Sequence, residues 1–179
     1  VSGVPSPDAG LDLAVALCNT YDLLDDPPDR LRPESLPRLA DRLDWPELAG
    51  LAGRLSEVRR VRTALYAVFA DPDPAAKIEA LNGLLAEYKA ELRLIPAYDG
   101  GAPRLGATGG EGPVGRLAVA CAGALARVVA DGGADRVRTC VADPCRCVYV
   151  DRTRANRQRY CCELCNDRMA SAAYRRRRG

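Results

Sequence analysis

Six of the eight cysteines in this 179-residue chain fall between Cys140 and Cys165. Four residues separate Cys140 from Cys145, and three separate Cys161 from Cys165. Thiolates in two close pairs are the donor set of a structural zinc site, where the ion takes four tetrahedral ligands. The Val-Ala-Asp-Pro between the first pair is turn chemistry that lets both sulfurs face one point. The spacing of the second pair puts both sulfurs on one face of a helix. The expected ligands of Zn2+ are therefore Cys140, Cys145, Cys161 and Cys165, the last two in the first turn of that helix. Cys147 is expected as a small apolar filler in an alternating strand, Arg146 to Val150. A quartet with Cys162 in place of Cys161 stays open as the alternative. A segment of about 40 residues is too short to hold itself together by apolar burial, and a metal supplies what is missing. Knuckle, hairpin and helix together make a treble-clef-like site.

Arginine surrounds the cysteines. Arg152, Arg154, Arg157 and Arg159 lie between hairpin and helix; Arg168, Arg175, Arg176, Arg177 and Arg178 lie on or beyond the helix. The formal net charge of +2 conceals a split: residues 1–135 carry 14 Lys and Arg against 20 Asp and Glu, and residues 136–179 carry 12 Arg against four acids. An acidic body with a basic end is the electrostatic footprint of a nucleic-acid binder. Guanidinium forks suit phosphate oxygens and the guanine edge, so duplex DNA is the expected partner, with the helix in or along the major groove. RNA is the runner-up, with only Tyr149, Tyr160 and Tyr174 for base stacking. A third reading is an interaction module with a structural zinc and an acidic protein partner. The chain has no histidine, which removes His-based acid–base, nucleophilic and metal chemistry. Four thiolates also leave no open metal position, so an enzyme is not expected.

The same segment resembles the CGNR zinc finger of bacterial transcription regulators. The resemblance is carried by Cys140 with Pro144-Cys145, by Val150-Asp151-Arg152-Thr153, by Tyr160-Cys161, and by Cys165-Asn166-Asp167-Arg168. The naming motif is degraded: Asn166 stands where the family has Gly, and Asp167 where it has Asn. An acid beside phosphate would repel, so any contact made by the family's Asn does not carry over. Near the other end, Leu11-Asp12-Leu13 followed by Asn19-Thr20-Tyr21-Asp22 resembles the opening of the ABATE domain, a stress-regulator domain that commonly precedes the CGNR finger. That resemblance implies a response to stress, and the domain, read as a sensor, is expected to take a small-molecule effector that the sequence does not identify. Asn19 and Thr20 are candidate contacts for it, and equally fit as helix-terminating residues.

The elements that must position these residues are mostly helices. Alanine and leucine dominate and aromatics are 5%. A loose lead-in over residues 1–10 precedes an apolar helix, Gly10 to Thr20. Asp25 to Asp29 is a turn, and Ser35 to Leu43 a short helix. Asp44 is the expected N-cap of a long helix to about Ala70, with Leu48, Leu51, Leu55, Val58, Val61, Leu65 and Val68 on its buried face. Arg54, Arg59, Arg60 and Arg62 are expected on its solvated side. After Asp71-Pro72-Asp73-Pro74, a helix should run to about Leu92, burying Ile78, Leu81, Leu84, Leu85, Tyr88 and Leu92. A hairpin over Leu92–Tyr98 and Pro103–Ala107 turns at Asp99-Gly100-Gly101. The glycine-rich stretch 106–112 lacks the Gly-Lys-Ser/Thr ending of a P-loop and is expected as a flexible loop. Pro113 to Asp131 is expected as the central core helix, with Cys121 and Cys18 as core fillers.

The expected fold is mainly α with a small β component. A helical α+β domain, residues 1–135, would serve as sensor or oligomerisation unit, and the finger occupies 136–179. One basic helix gives modest specificity, which favours a homodimer. No run of 18 or more apolar residues is read, so no membrane span is expected. No secretory segment is visible, so a reducing cytoplasm with free thiols is expected.

Overall fold

The computed structural model describes residues 7–95 and 102–178. Its elements are helices α1 (Pro7–Cys18), α2 (Ser35–Leu43), α3 (Leu55–Ala70) and α4 (Pro74–Glu87), strands β1 (Ala90–Ile95) and β2 (Arg104–Gly109), helix α5 (Gly112–Val128), strands β3 (Val137–Thr139) and β4 (Val148–Val150), and helix α6 (Glu163–Arg178). Both sheets are two-stranded and antiparallel, β1 with β2 and β3 with β4.

α5 is the centre of the fold. Val114, Leu117, Ala118, Val119, Cys121, Ala122 and Leu125 are all buried, so it is apolar nearly all round, as a core helix must be. By length and composition alone, Gly112–Arg136 is long and apolar enough to cross a membrane. Its apolar side chains, however, pack against α1, α3 and α4. α1 approaches α5 closely because Gly10 sits at the crossing; a Cβ there would lie 2.7 Å from the Ala120 carbonyl oxygen. Cys18 and Cys121 are both buried in this core.

Several elements depart from the sequence expectation, each for a local reason. α2 keeps the expected bounds, but Asp44 terminates it in the left-handed conformation (φ 50°) rather than opening the next helix. Residues Pro46–Arg54 form a 3-10 stretch, and the α-helical part begins only at Leu55; Gly50 and Gly53 in that stretch disfavour α-helix. α4 stops at Glu87, two residues before Lys89 takes a positive φ of 51°. Leu92 therefore lies on a strand, 73% exposed, and Ile78 is 47% exposed where a buried position was expected. Lys77, which the periodicity ignores, is buried and donates to the Val137 carbonyl.

The glycine-rich stretch is ordered. Gly106 to Gly109 complete β2, pairing with Arg93 to Ala90. Gly110 (φ +83°) packs on Gly115, where a Cβ would come within 2.3 Å of the Gly115 carbonyl carbon. The lead-in is helical from Pro7. The expected turn Asp99-Gly100-Gly101 and the strand end Pro96-Ala97-Tyr98 lie outside the described residues.

The β3–β4 hairpin joins the main core through Val137 and Val148. Beyond it lies a second, smaller cluster: Cys140, Ala142, Cys145, Cys147 and Cys165, with Tyr160, Cys161 and Met169 against it.

Candidate metal centre

The β3–β4 connection builds the first half of the site. The Cys140 N–H donates to the Cys147 carbonyl (2.8 Å), and the Cys145 N–H to that of Ala142 (2.7 Å). This tight turn, through Asp143-Pro144, brings the sulfurs of Cys140 and Cys145 together. The second half comes from the entry to α6. Cys165 lies in its first turn, but Cys161 precedes it, because the helix starts at Glu163 and not at Cys161.

The sulfurs of Cys140, Cys145, Cys161 and Cys165 all lie within 4.8 Å of one another. Cys145 and Cys161 are 3.8 Å apart, as are Cys161 and Cys165. A tetrahedral ion with metal–sulfur bonds of about 2.3 Å has sulfur–sulfur edges of about 3.8 Å. The donor set fits one divalent ion of zinc's geometry. N–H groups point at the sulfurs: Cys161 N–H to Cys140 Sγ and Cys147 N–H to Cys145 Sγ, both 3.4 Å, with the Arg168 guanidinium 3.8 Å from Cys165 Sγ. Such donors offset the negative charge that four thiolates bring. Burial alone would raise the Cys140 thiol, but the N–H groups of Cys161 and Ala142 more than offset it and the net shift is downward. Burial and the neighbouring sulfurs push Cys161 up, and Cys165 up to about 12. Four thiolates this close repel one another, so a cation among them favours the deprotonated set, and its binding would release protons.

The two remaining finger cysteines stand outside the quartet. Cys162 is exposed, its sulfur 3.8 Å from that of Cys161. Cys147 is buried, and its thiol donates to Asp22 Oδ2 (3.3 Å).

The arginines divide. Arg154, Arg157, Arg175, Arg176 and Arg177 are exposed, and their guanidinium groups have no partner among the described residues. Arg152 pairs with Asp12 of α1 (2.6 Å), and Arg159 lies over the Tyr160 ring, 5.9 Å from its centroid. Arg168 is turned inward, donating to the Ala142 carbonyl (3.1 Å) as well as facing Cys165. It braces the knuckle. Thr153 and Asn156, on the same loop, are engaged internally with Asp151 and Asp135.

Sequence reasoning passed over the organiser of the basic loop. Asp151 is fully buried and accepts from the Thr153 N–H and hydroxyl (2.8 and 2.6 Å) and the Gln158 N–H (2.8 Å). Burial opposes its charge, but these bonds more than offset it and hold the carboxyl below its ordinary value. Arg136 and Arg138 hold the same loop through the carbonyls of Thr153 and Gln158. The Asp-x-Thr pattern was the available signal.

Asn19 and Thr20 are structural first. The Asn19 amide donates to the Val148 carbonyl (2.9 Å) and accepts from the Val148 N–H (2.7 Å), pairing with β4 as a strand would. The Thr20 hydroxyl donates to the Leu17 carbonyl (2.6 Å) and accepts from Arg62 (2.9 Å). Arg62, expected on a solvated face, is buried and forks onto Asp29 (2.7 and 3.0 Å). Both Asn19 and Thr20 also line a cavity of about 770 Å³ with Arg30, Arg32, Arg38 and Arg42.

A family model described as "Putative stress-induced transcription regulator", ABATE, matches residues 11–132, and the model of the CGNR zinc finger matches residues 136–178. Among curated proteins, none matches the chain.

Proposed function

The chain belongs to the ABATE family and carries a CGNR zinc finger after that domain, and from this we propose that it is a zinc-dependent transcription regulator that binds duplex DNA. Cys140, Cys145, Cys161 and Cys165 would hold the zinc, whose role is to fix the finger rather than to react. The reading is non-enzymatic, and a reducing cytoplasm suits four free thiolates. One observation carries it: Cys165 is the sole buried residue of the 16-residue α6. The metal site thus grips the helix by its first turn, and the rest, ending in Arg175 to Arg178, projects outward. Arg154 and Arg157 lie exposed on the loop that Asp151 organises.

The unpartnered arginines would take the phosphate backbone and position α6 against the duplex. A 16-residue helix is about 24 Å long and reads few base pairs, so a second copy is proposed to complete the recognised site. The cavity beside Asn19 is the proposed place for an effector, because its wall shares Asn19 with the clamp on β4. The test measures metal content together with binding to duplex genomic fragments, against single-stranded RNA and an acidic polypeptide as competitors. Duplex DNA should win while one zinc is bound. Preference for RNA or the polypeptide would replace this reading with the corresponding alternative.

A further inference from the structure

Among the eight cysteines, all within the described residues, Cys162 alone is exposed; Cys161 is half-buried and the other six are buried. It is also in contact with a ligand. Its sulfur lies 3.8 Å from that of Cys161, which lies 3.8 Å from that of Cys165. The other non-ligand of the finger, Cys147, is buried and donates to Asp22. The Cys162 carbonyl accepts from the Asn166 N–H (3.3 Å), so residues 162–166 close a helical turn at the start of α6. In such a turn, Cα atoms three residues apart lie about 5 Å from each other. That falls within the span of about 4.4–6.8 Å that a disulfide bridges. Adjacent residues have Cα atoms only about 3.8 Å apart, too close for an unstrained bridge to Cys161.

We propose that Cys162 is an oxidative modification site, at which a hydroperoxide triggers a Cys162–Cys165 disulfide that releases the metal and α6 together. The proposal rests on the zinc reading above. In the first step the Cys162 thiol attacks the hydroperoxide. The O–O bond breaks, Cys162 becomes a sulfenic acid, and the alcohol (water, from hydrogen peroxide) leaves. In the second step the Cys165 sulfur attacks the Cys162 sulfur. The S–S bond forms, the S–O bond breaks, and hydroxide leaves as water with a proton from solvent, while the metal loses its bond to Cys165. Two electrons pass from the pair of sulfurs to the peroxide. Since Cys165 is the one buried residue of α6 and the sulfur that Arg168 faces, its removal detaches the helix as well as the ion.

The experiment treats the zinc-loaded full chain with hydrogen peroxide, follows zinc release with a chromophoric chelator, and maps the oxidised cysteines by fragmentation mass spectrometry. The native protein should release about one equivalent of zinc with a Cys162–Cys165 disulfide. Cys162→Ser should bind zinc as tightly and release it at least tenfold more slowly, whereas Cys147→Ser should behave as native. Release from Cys162→Ser at the native rate, failure of that variant to hold zinc, or oxidation of Cys162 with zinc retained would each overturn the proposal. Protein isolated without metal would sink the zinc reading as well, and that is read before peroxide is added. Nucleic-acid affinity does not enter the readout.

Discussion

At the scale of single residues, the most consequential side chain outside the metal quartet is Asn19. It satisfies both the N–H and the carbonyl of Val148, which is itself buried. Truncation leaves two buried main-chain groups without partners, each costing about 1–3 kcal/mol. Asn19→Ala should therefore lower the unfolding free energy by about 2 kcal/mol or more in urea titration of the metal-loaded protein; a change under about 0.5 kcal/mol would mean water replaces the amide at no cost. Asp29 supports a pH prediction. Its carboxyl is held well below the ordinary carboxylate range, first because Arg62 donates to it, against the opposing push of burial, with help from the Leu31 N–H and from Arg59. A depressed folded pKa contributes stability that is present above the unfolded value of about 4 and lost as pH falls through the folded one. The stability gap between native protein and Asp29→Asn should thus be constant from about pH 5 to 7 and narrow below about pH 4. A gap that widens on acidification would show that the pairing with Arg62 and Arg59 is not what Asp29 contributes.

At the scale of elements, α6 differs from every other helix. α1 to α5 bury stripes in a shared core, while α6 buries one residue and ends in four consecutive arginines. Isolated helices of about 12–15 residues are marginal in water. Like charges in its last turns repel, though their position at the negative end of the helix dipole offsets part of this. Removing the metal should therefore melt α6 and the knuckle but leave the main core, which holds β3 and β4 through Val137 and Val148. Far-ultraviolet circular dichroism should lose the equivalent of about one 16-residue helix on chelation, while a thermal transition of the remainder persists. Unchanged ellipticity would mean the helix stands without its anchor. Much of this was legible beforehand: α5 by its continuous apolar run, and the grouping of the four sulfurs by their spacing and turn chemistry. What escaped depended on contacts distant in sequence. Arg62 reads as a surface charge until Asp29, 33 residues earlier, is brought to it. Asn19 reads as a helix terminator until Val148, 129 residues later, lies alongside. Glycines 106–112 read as a loop because composition does not reveal that Gly110 must pass against Gly115.

At the scale of the whole molecule, the charge split sets how binding should respond to salt. The finger segment is strongly basic by count, but the structure does not leave all of its arginines free. Arg136 and Arg138 hold the loop around Asp151, Arg152 is paired with Asp12, and Arg168 is turned into the knuckle. The exposed guanidinium groups without partners among the described residues are Arg154, Arg157, Arg175, Arg176 and Arg177. Each phosphate contact on a duplex contributes about 0.9 to the slope of log affinity against log salt. These five imply a slope of about −4.5 per chain, whereas the nine arginines named from sequence would imply about −8. Arg175→Ala should reduce the slope by about 0.9 and weaken binding to all duplex sequences alike. Arg168→Ala should act by another route: the slope should hold while zinc affinity falls, because the lost contacts are to Ala142 and Cys165. Affinity measured across salt concentrations for the native chain and both variants, with zinc affinity measured in parallel, separates the two roles. A drop in slope for Arg168→Ala with zinc affinity unchanged would return that residue to the nucleic-acid surface and refute the bracing role that its geometry supports.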